Sequence, residues 1–315
     1  MTRITKRTAF LILASLPVAV VCSDAPATVQ NPALSADLEA RVQALLKKVK
    51  HSLRPLKAGT FEMGDWGNED GVPYDFDAYT RPLHKVTLDG FSMMAYKVTF
   101  DDFDVFTDVT GNQRIAMEEL DIADRAENRP AGVSWYGAKA YCGWLAKMTR
   151  LPFDLPTEAQ WEYAARSGGK RMLFSTDNGK LEKGRNFPKE WEYGDPKPPI
   201  PDVGSYPPNP AGLYGMSENT GEWVNDWFDK EYYKTSPKKN PTGPATGTKK
   251  VMRGSVGGTA EIAAMVFMRK SNDPQPMRTE YPNGVSAGSV RVPFPNFAGY
   301  KSQNFRCVLQ EFPKN

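Results

Sequence analysis

Glycine and proline, 26 of each in 315 residues, recur along most of this chain and set the first limit on its fold. Glycine weakens helices and strands through backbone entropy, and proline removes a donor and blocks the helix interior. A chain punctuated in this way forms loops and short strands, not a bundle of long helices. After residue 55 the segments KAGTFEMGD, HKVTLDGFSMMAYKVT and VMRGSVGG read as short strands and turns. From 174 to 250 there is little regular pattern but many aromatics, among them Phe174, Trp191, Tyr214, Trp223 and Trp227. An irregular stretch of that length has to be held by bound metal or by dense side-chain packing.

Three segments carry helical signals. Residues 35–53 place Leu38, Val42, Leu45, Leu46 and Val49 on one face behind a Ser35 cap. Such a helix packs on the body of the protein or binds a partner. A second helix starts near Ser134 in VSWYGAKAYCGWLAKMT, where Ala138, Tyr141, Cys142 and Leu145 share a face. The third is PTEAQWEYAARSGG, with Thr157 and Gln160 as a capping box, Gly168 as a stop and Trp161 and Ala165 on a buried face.

The first 22 residues differ from the rest. Arg3, Lys6 and Arg7 precede an apolar run from Thr8 to Val21. The run is about 14 residues long, against the ~20 that span a bilayer, and it reads as a signal peptide. Two fates stay open for it. Cys22 fits a lipid-acceptor cysteine and a membrane tether, although Val21 is bulky for that site; cleavage near Ser23 or Ala25 fits a soluble product. Residues 23–34, with Pro26 and Pro32, read as a linker. Loss of residues 1–22 lowers Lys+Arg from 40 to 37, against 37 Asp+Glu. The mature chain is then near neutral, and nothing points to nucleic acid. It keeps two cysteines, Cys142 and Cys307. Outside the cytosol these point to a disulfide rather than to catalytic thiols. Closing a loop of about 165 residues would stabilise by about 4–5 kcal/mol in the chain-entropy picture.

Seven motifs then occur in order: GTFEMGD, PLHKVTLDGFSMMAYKVT, GVSWYGAKAYCGWL, LPTEAQWEYAARSG, GLYGMSENTGEWVNDWF, VMRGS and NFRCV. Together they resemble the formylglycine-generating enzyme, or sulfatase-modifying factor, family over residues 56–312. The resemblance implies an α+β fold: an irregular mixed α/β single domain, related to C-type lectins, with little regular secondary structure. It also implies a structural calcium ion in the GLYGMSENTGEWVNDWF segment, with Glu222 as side-chain ligand and Glu218 and Thr220 as carbonyl donors. Calcium takes six to eight oxygens, which irregular loops supply readily. Gly215 stands where the family has Asn or Asp, which should weaken the site. A second calcium site would fall near Asn186 and Asp195.

The family's best-known activity oxidises a substrate cysteine to formylglycine. It uses a copper-binding pair of cysteines between the MRGS-like strand and the last cysteine. Here that interval, from GTAEIAAMVFMRKS to YKSQNFRC, holds no cysteine before Cys307. Cys142 and Cys307 match the family's structural disulfide instead. Copper is therefore not expected, since Cu(I) calls for thiolate; Met265 and Met268 read as core. A second branch binds iron through three histidines, and this chain has only His51 and His84, so iron is not expected either. There is no G-x-S-x-G, H-E-x-x-H or P-loop, and no catalytic residue is assigned.

Two classes of function remain. In the first, the chain is a non-catalytic periplasmic binding protein. Its candidate contacts are Trp66, Tyr74 and Tyr79 in loop 65–82, and Arg278, Tyr281, Arg291 and Phe294 in loop 271–300. An exported member without the cysteine pair resembles the immunity proteins that neutralise toxic lipase effectors of type VI secretion systems, so the expected partner is a secreted lipase. In the second, the chain is a periplasmic metal-dependent oxidoreductase or maturation enzyme with an altered site. A third, weaker option is sugar or peptidoglycan binding through exposed aromatics.

Overall fold

The computed structural model describes residues 34–118, 125–189, 200–217, 220–255, 261–282 and 289–310. The signal peptide, nearly all of the linker and Cys22 lie outside these residues. Helix α1 (Ala36–Ser52) starts at Ser35, whose hydroxyl accepts the Leu38 N–H at 3.2 Å, and it buries Val42, Leu45 and Val49. It runs directly into strand β1 (Leu53–Leu56), which pairs antiparallel with β4 (Phe91–Met94). Between them β2 (Gly59–Met63) and β3 (His84–Leu88) form a separate antiparallel pair.

Helix α2 (Phe100–Thr110) departs from the sequence expectation, which passed from the strand texture ending at Thr99 to the helix at Ser134. Its start is a reciprocal capping box: the Thr99 hydroxyl accepts the Asp102 N–H, and the Asp102 carboxylate accepts the Thr99 N–H. Its end is Gly111 in the left-handed region at φ 70°. The β-branched and aromatic residues of FDDFDVFTDVT are indifferent helix formers, so packing supplies what propensity does not. Phe103 and Phe106 lie against Tyr141 of α3 (Trp135–Thr149), at centroid distances of 5.9 and 5.8 Å.

Helix α4 (Glu158–Ala165) has the Thr157–Gln160 capping box. It stops at Ala165, before Gly168, because Ser167, Gly168 and Gly169 all take positive φ and the amides of Gly168 and Gly169 return to the Tyr163 carbonyl. Every residue of α4 is buried, its two glutamates included. A helix enclosed on all sides cannot be amphipathic, and its charges must find partners inside.

Two sheets complete the frame. One has the order β1-β4-β12-β5, where β5 is Phe153–Asp154 and β12 is Val308–Gln310. The other has the order β11-β6-β7-β8, with β11 (Gln303–Asn304) parallel to β6 (Gly221–Trp227), and with β7 (Lys250–Gly254) and β8 (Arg269–Asn272) antiparallel. A hairpin of β9 (Met277–Glu280) and β10 (Val290–Pro293) belongs to neither sheet. The architecture is thus a mixed α+β domain with few helices. One core packs α4 against β2, β3 and Phe267; the other gathers α1, α2 and α3 around Phe305. Cys142 of α3 is joined to Cys307 beside β12, both fully buried, with Cα atoms 5.7 Å apart. The bond ties that helix to the sheet across a sequence separation of 165.

Candidate functional site

The GLYGMSENTGEWVNDWF segment is only partly a loop. From Gly221 it is strand β6, and Glu222 sits mid-sheet, opposite Arg253 on one side and Asn304 on the other. Sequence reasoning placed the Glu222 carboxylate on calcium. In the structure its two oxygens accept from Arg306 Nε and Nη2 at 2.7 and 2.8 Å, and both residues are buried. Arg306 uses its remaining N–H groups on the carbonyls of Met94, Ala95 and Tyr214, at 3.2, 2.8 and 2.7 Å. That accounts for all five donors of the guanidinium. The Thr220 carbonyl lies 3.4 Å from the Lys97 ammonium, which also donates to the Thr220 hydroxyl. Gly215 is left-handed at φ 68°. Residues placed this way present Glu222 and Thr220 to the chain's own cations, and the set does not fit a calcium ion.

Glu218 and Asp195 lie outside the described residues. Asn186 donates to the Asp177 carboxylate at 3.0 Å and to the Lys180 carbonyl at 3.0 Å, and its own oxygen accepts the Glu182 N–H at 2.8 Å. Arg185 bridges Asp177 and Glu182 beside it. Among the described residues, no three His, Cys, Asp and Glu side chains are grouped to hold a metal ion. His51 is exposed on α1, and the His84 ring packs 4.7 Å from that of Tyr233.

The strongest electrostatics are internal. Glu158 pairs with Arg253 and Arg269, and Glu162 with Arg253 and Arg166, all at 2.7–2.9 Å and all buried. Burial pushes the Glu158 carboxyl up, but Arg269 and Arg253 outweigh it and hold the group below its ordinary range. Asp226, which accepts the Glu158 N–H at 2.9 Å, goes the other way. Burial first, and the Glu158 charge second, push it up to about 7. Lys250 lies between the rings of Trp135 and Trp227, 4.0 and 3.7 Å from their centroids, and burial brings its ammonium down to about 8. The two glutamates and three arginines are thus one another's partners inside the fold, and Lys250 donates to the Asn225 carbonyl at 2.8 Å.

The two candidate loops separate clearly. In 65–82 the aromatics expected to meet a partner turn inward instead. Trp66 packs edge-on to Phe267 at 5.0 Å under the Arg166 guanidinium, Tyr74 stacks on Phe267 at 5.9 Å, and Tyr79 packs edge-on to Phe228 at 5.7 Å. What projects from this loop is Phe76, 87% exposed. In 271–300 the outward reading agrees better with the geometry. Tyr281 and Arg291 are exposed on the β9–β10 hairpin. Arg278 and Phe294 line a cleft of about 150 Å³, whose opposite wall is Arg114, Ile115, Met117 and Glu118. Arg278 spans the cleft to Glu118 at 2.6 Å and also holds Glu280. Phe294 packs 4.9 Å from Tyr300, whose hydroxyl donates to the Met277 carbonyl. Met117 in this lining, and Tyr281, Val290 and Tyr300 in segment 271–300, are 43–54% exposed. Sequence reasoning missed Met117 and Glu118, because segment 113–118 reaches the hairpin only through folding.

The profile of the sulfatase-modifying factor enzyme 1-like domain matches residues 44–285. The chain is 33% identical over 220 residues to the serine/threonine-protein kinase pkn1 of Chlamydia pneumoniae, covering 64% of this chain and 33% of that protein. It is 29% identical over 254 residues to the mouse formylglycine-generating enzyme, covering 64% of each. The chain thus spans less than two thirds of either relative. Among solved structures, PvdO from Pseudomonas aeruginosa is similar with a TM-score of 0.60 and 24% identity, covering 82% of this chain and 94% of that one, which is a likeness of fold.

Proposed function

The chain belongs to the sulfatase-modifying factor enzyme 1-like family, and within it we propose a non-catalytic protein, exported to the periplasm, that binds a protein partner. The observation that carries this reading is the β9–β10 hairpin with its cleft. It stands apart from both sheets; Arg278, Phe294 and Met117 line the cleft, Tyr300 packs on Phe294, and Tyr281 is exposed just past β9. Tyrosine, methionine and arginine are enriched in the buried centres of protein interfaces, where a few such residues carry most of the affinity. The sequence supports the non-catalytic half, since the interval that holds the family's reactive cysteine pair has no cysteine before Cys307.

The specific form of the proposal is an immunity protein that binds a toxic lipase effector of a type VI secretion system in the periplasm and blocks its substrate entry. The test is protection. Cells exporting a periplasm-directed lipase effector should survive when this chain is co-exported, and a one-to-one complex should persist through gel filtration at high salt. Survival that does not improve, with no complex formed, would remove the lipase. A stoichiometric transition metal retained through purification would favour the altered oxidoreductase instead.

A further inference from the structure

Lys97 follows β4 in the stretch YKVT and is 3% exposed. An ammonium taken that far out of water requires oxygen acceptors or an opposite charge. It finds oxygen in the Thr220 carbonyl and hydroxyl, immediately before β6. Two residues further on, the Arg306 guanidinium takes both oxygens of Glu222 and then ties Tyr214, at the start of the same segment, to Met94 and Ala95. The Tyr214 ring stacks on Tyr96, beside Lys97, at 4.6 Å. The carbonyl and hydroxyl of Thr220 and the carboxylate of Glu222 thus face positive charge that the chain itself supplies. A divalent cation on the same oxygens would meet an ammonium and a guanidinium at close range, with little water to screen the repulsion. Gly215 adds no side-chain oxygen to compete with them.

We infer that Lys97, with Arg306, takes the place of a calcium ion in this segment, so that Thr220 and Glu222 at the entry to β6 are braced by internal cations and the fold is independent of divalent metal. The arrangement has a consequence for an exported protein: its stability does not follow the calcium content of its surroundings. Lys97 is a positioning residue here, since it acts by holding Thr220 and the entry to β6.

The test is thermal unfolding of the mature chain in EDTA and in millimolar calcium. Wild type should melt at the same temperature in both, within about 1 °C, and Lys97→Met should melt lower by about 4 °C or more, equally in both. Lys97→Glu removes the ammonium and returns oxygen ligands, so it should melt low in EDTA and recover on adding calcium. A wild-type midpoint that falls by about 4 °C or more in EDTA, with one calcium per chain by metal analysis, overturns the inference. So does a Lys97→Met protein as stable as wild type, or a folded Lys97→Glu protein indifferent to calcium. If both variants fail to fold, the wild-type comparison still decides.

Discussion

Loops 65–82 and 271–300 have the same texture in sequence, mixing aromatics, glycine, proline and charge, yet they are held in different ways. The first is tied down through its backbone. Asp65 accepts the amides of Gly67 and Asp75 at 2.8 Å, and Asp75 accepts those of Asp77 and Thr80 together with the Thr80 hydroxyl. These aspartates do for the loop what a partner strand does in a sheet, satisfying amides that burial would otherwise orphan. With the backbone held close to the body, Trp66 and Tyr74, both half-buried, pack against the core, and Tyr79 packs on Phe228. The loop also rests on the buried ion-pair network, through Arg166 over Trp66 and through Arg269, which donates to the Tyr79 carbonyl at 3.1 Å. The second loop satisfies part of its backbone by pairing with itself, Val290 opposite Glu280 through Pro293 opposite Met277. Its later part, Phe294, Phe297 and Ala298, still packs on the core, while Tyr281, Val290 and Arg291 on the hairpin stay exposed. Burial of a loop aromatic therefore depends on where the neighbouring amides find acceptors, not on the aromatic itself.

The comparison breaks most readily at the network beneath the first loop. Arg269→Met leaves Glu158 with one guanidinium and frees the Tyr79 carbonyl. Removing one partner of a buried pair costs about 3–5 kcal/mol, and urea unfolding should show a loss of that size. A loss below about 1 kcal/mol would mean that the network tolerates an unpaired charge and does not anchor the loop. A medium-sized effect comes from Asp226 of β6, which accepts the Glu158 N–H at the start of α4. Its folded pKa, about 7, lies above its ordinary 3.8, so its contribution to stability is complete below the lower value and is lost as pH rises toward the higher one. Asp226→Asn stays neutral throughout. Above pH 7 it should be more stable than wild type by about 2 kcal/mol, and the difference should shrink as pH falls toward 4. Parallel stability curves for the two proteins would place the Asp226 pKa in the ordinary range. The smallest effect on stability is expected in the second loop. Tyr281→Ala, at an exposed position, should shift stability by less than about 0.5 kcal/mol while weakening partner binding by about tenfold or more. If Trp66→Ala weakened binding while leaving stability intact, the roles of the two loops would be reversed.

Much of the frame is legible in the sequence because its signals are local. Ser35, Ser134 and Thr157 cap their helices through hydroxyls three residues from the amides they accept, and the ordered motifs carry the family and the mixed α+β fold. Helix α2 had the same kind of signal in Thr99, Asp102 and Gly111, but the β-branched and aromatic residues between them obscure it. The candidate site is less legible. Arg278 and Tyr281 can be named from residue type and loop length, but Met117 and Glu118 cannot, since they lie 160 residues from the arginine they meet.

The sequence by itself determined the caps of three helices and that the interval of the family's reactive pair carries no thiol before Cys307. Those properties depend on residue identity and on contacts within a few positions. Only the tertiary structure decided which charges face which. Glu222 reads from the sequence as a calcium ligand, and nothing in the sequence singles out Lys97. Their roles follow from the approach of Arg306 and Thr220, 84 and 123 residues away. The physical reason is that a buried charge is stable only beside its complement, and in this fold those complements come from distant parts of the chain.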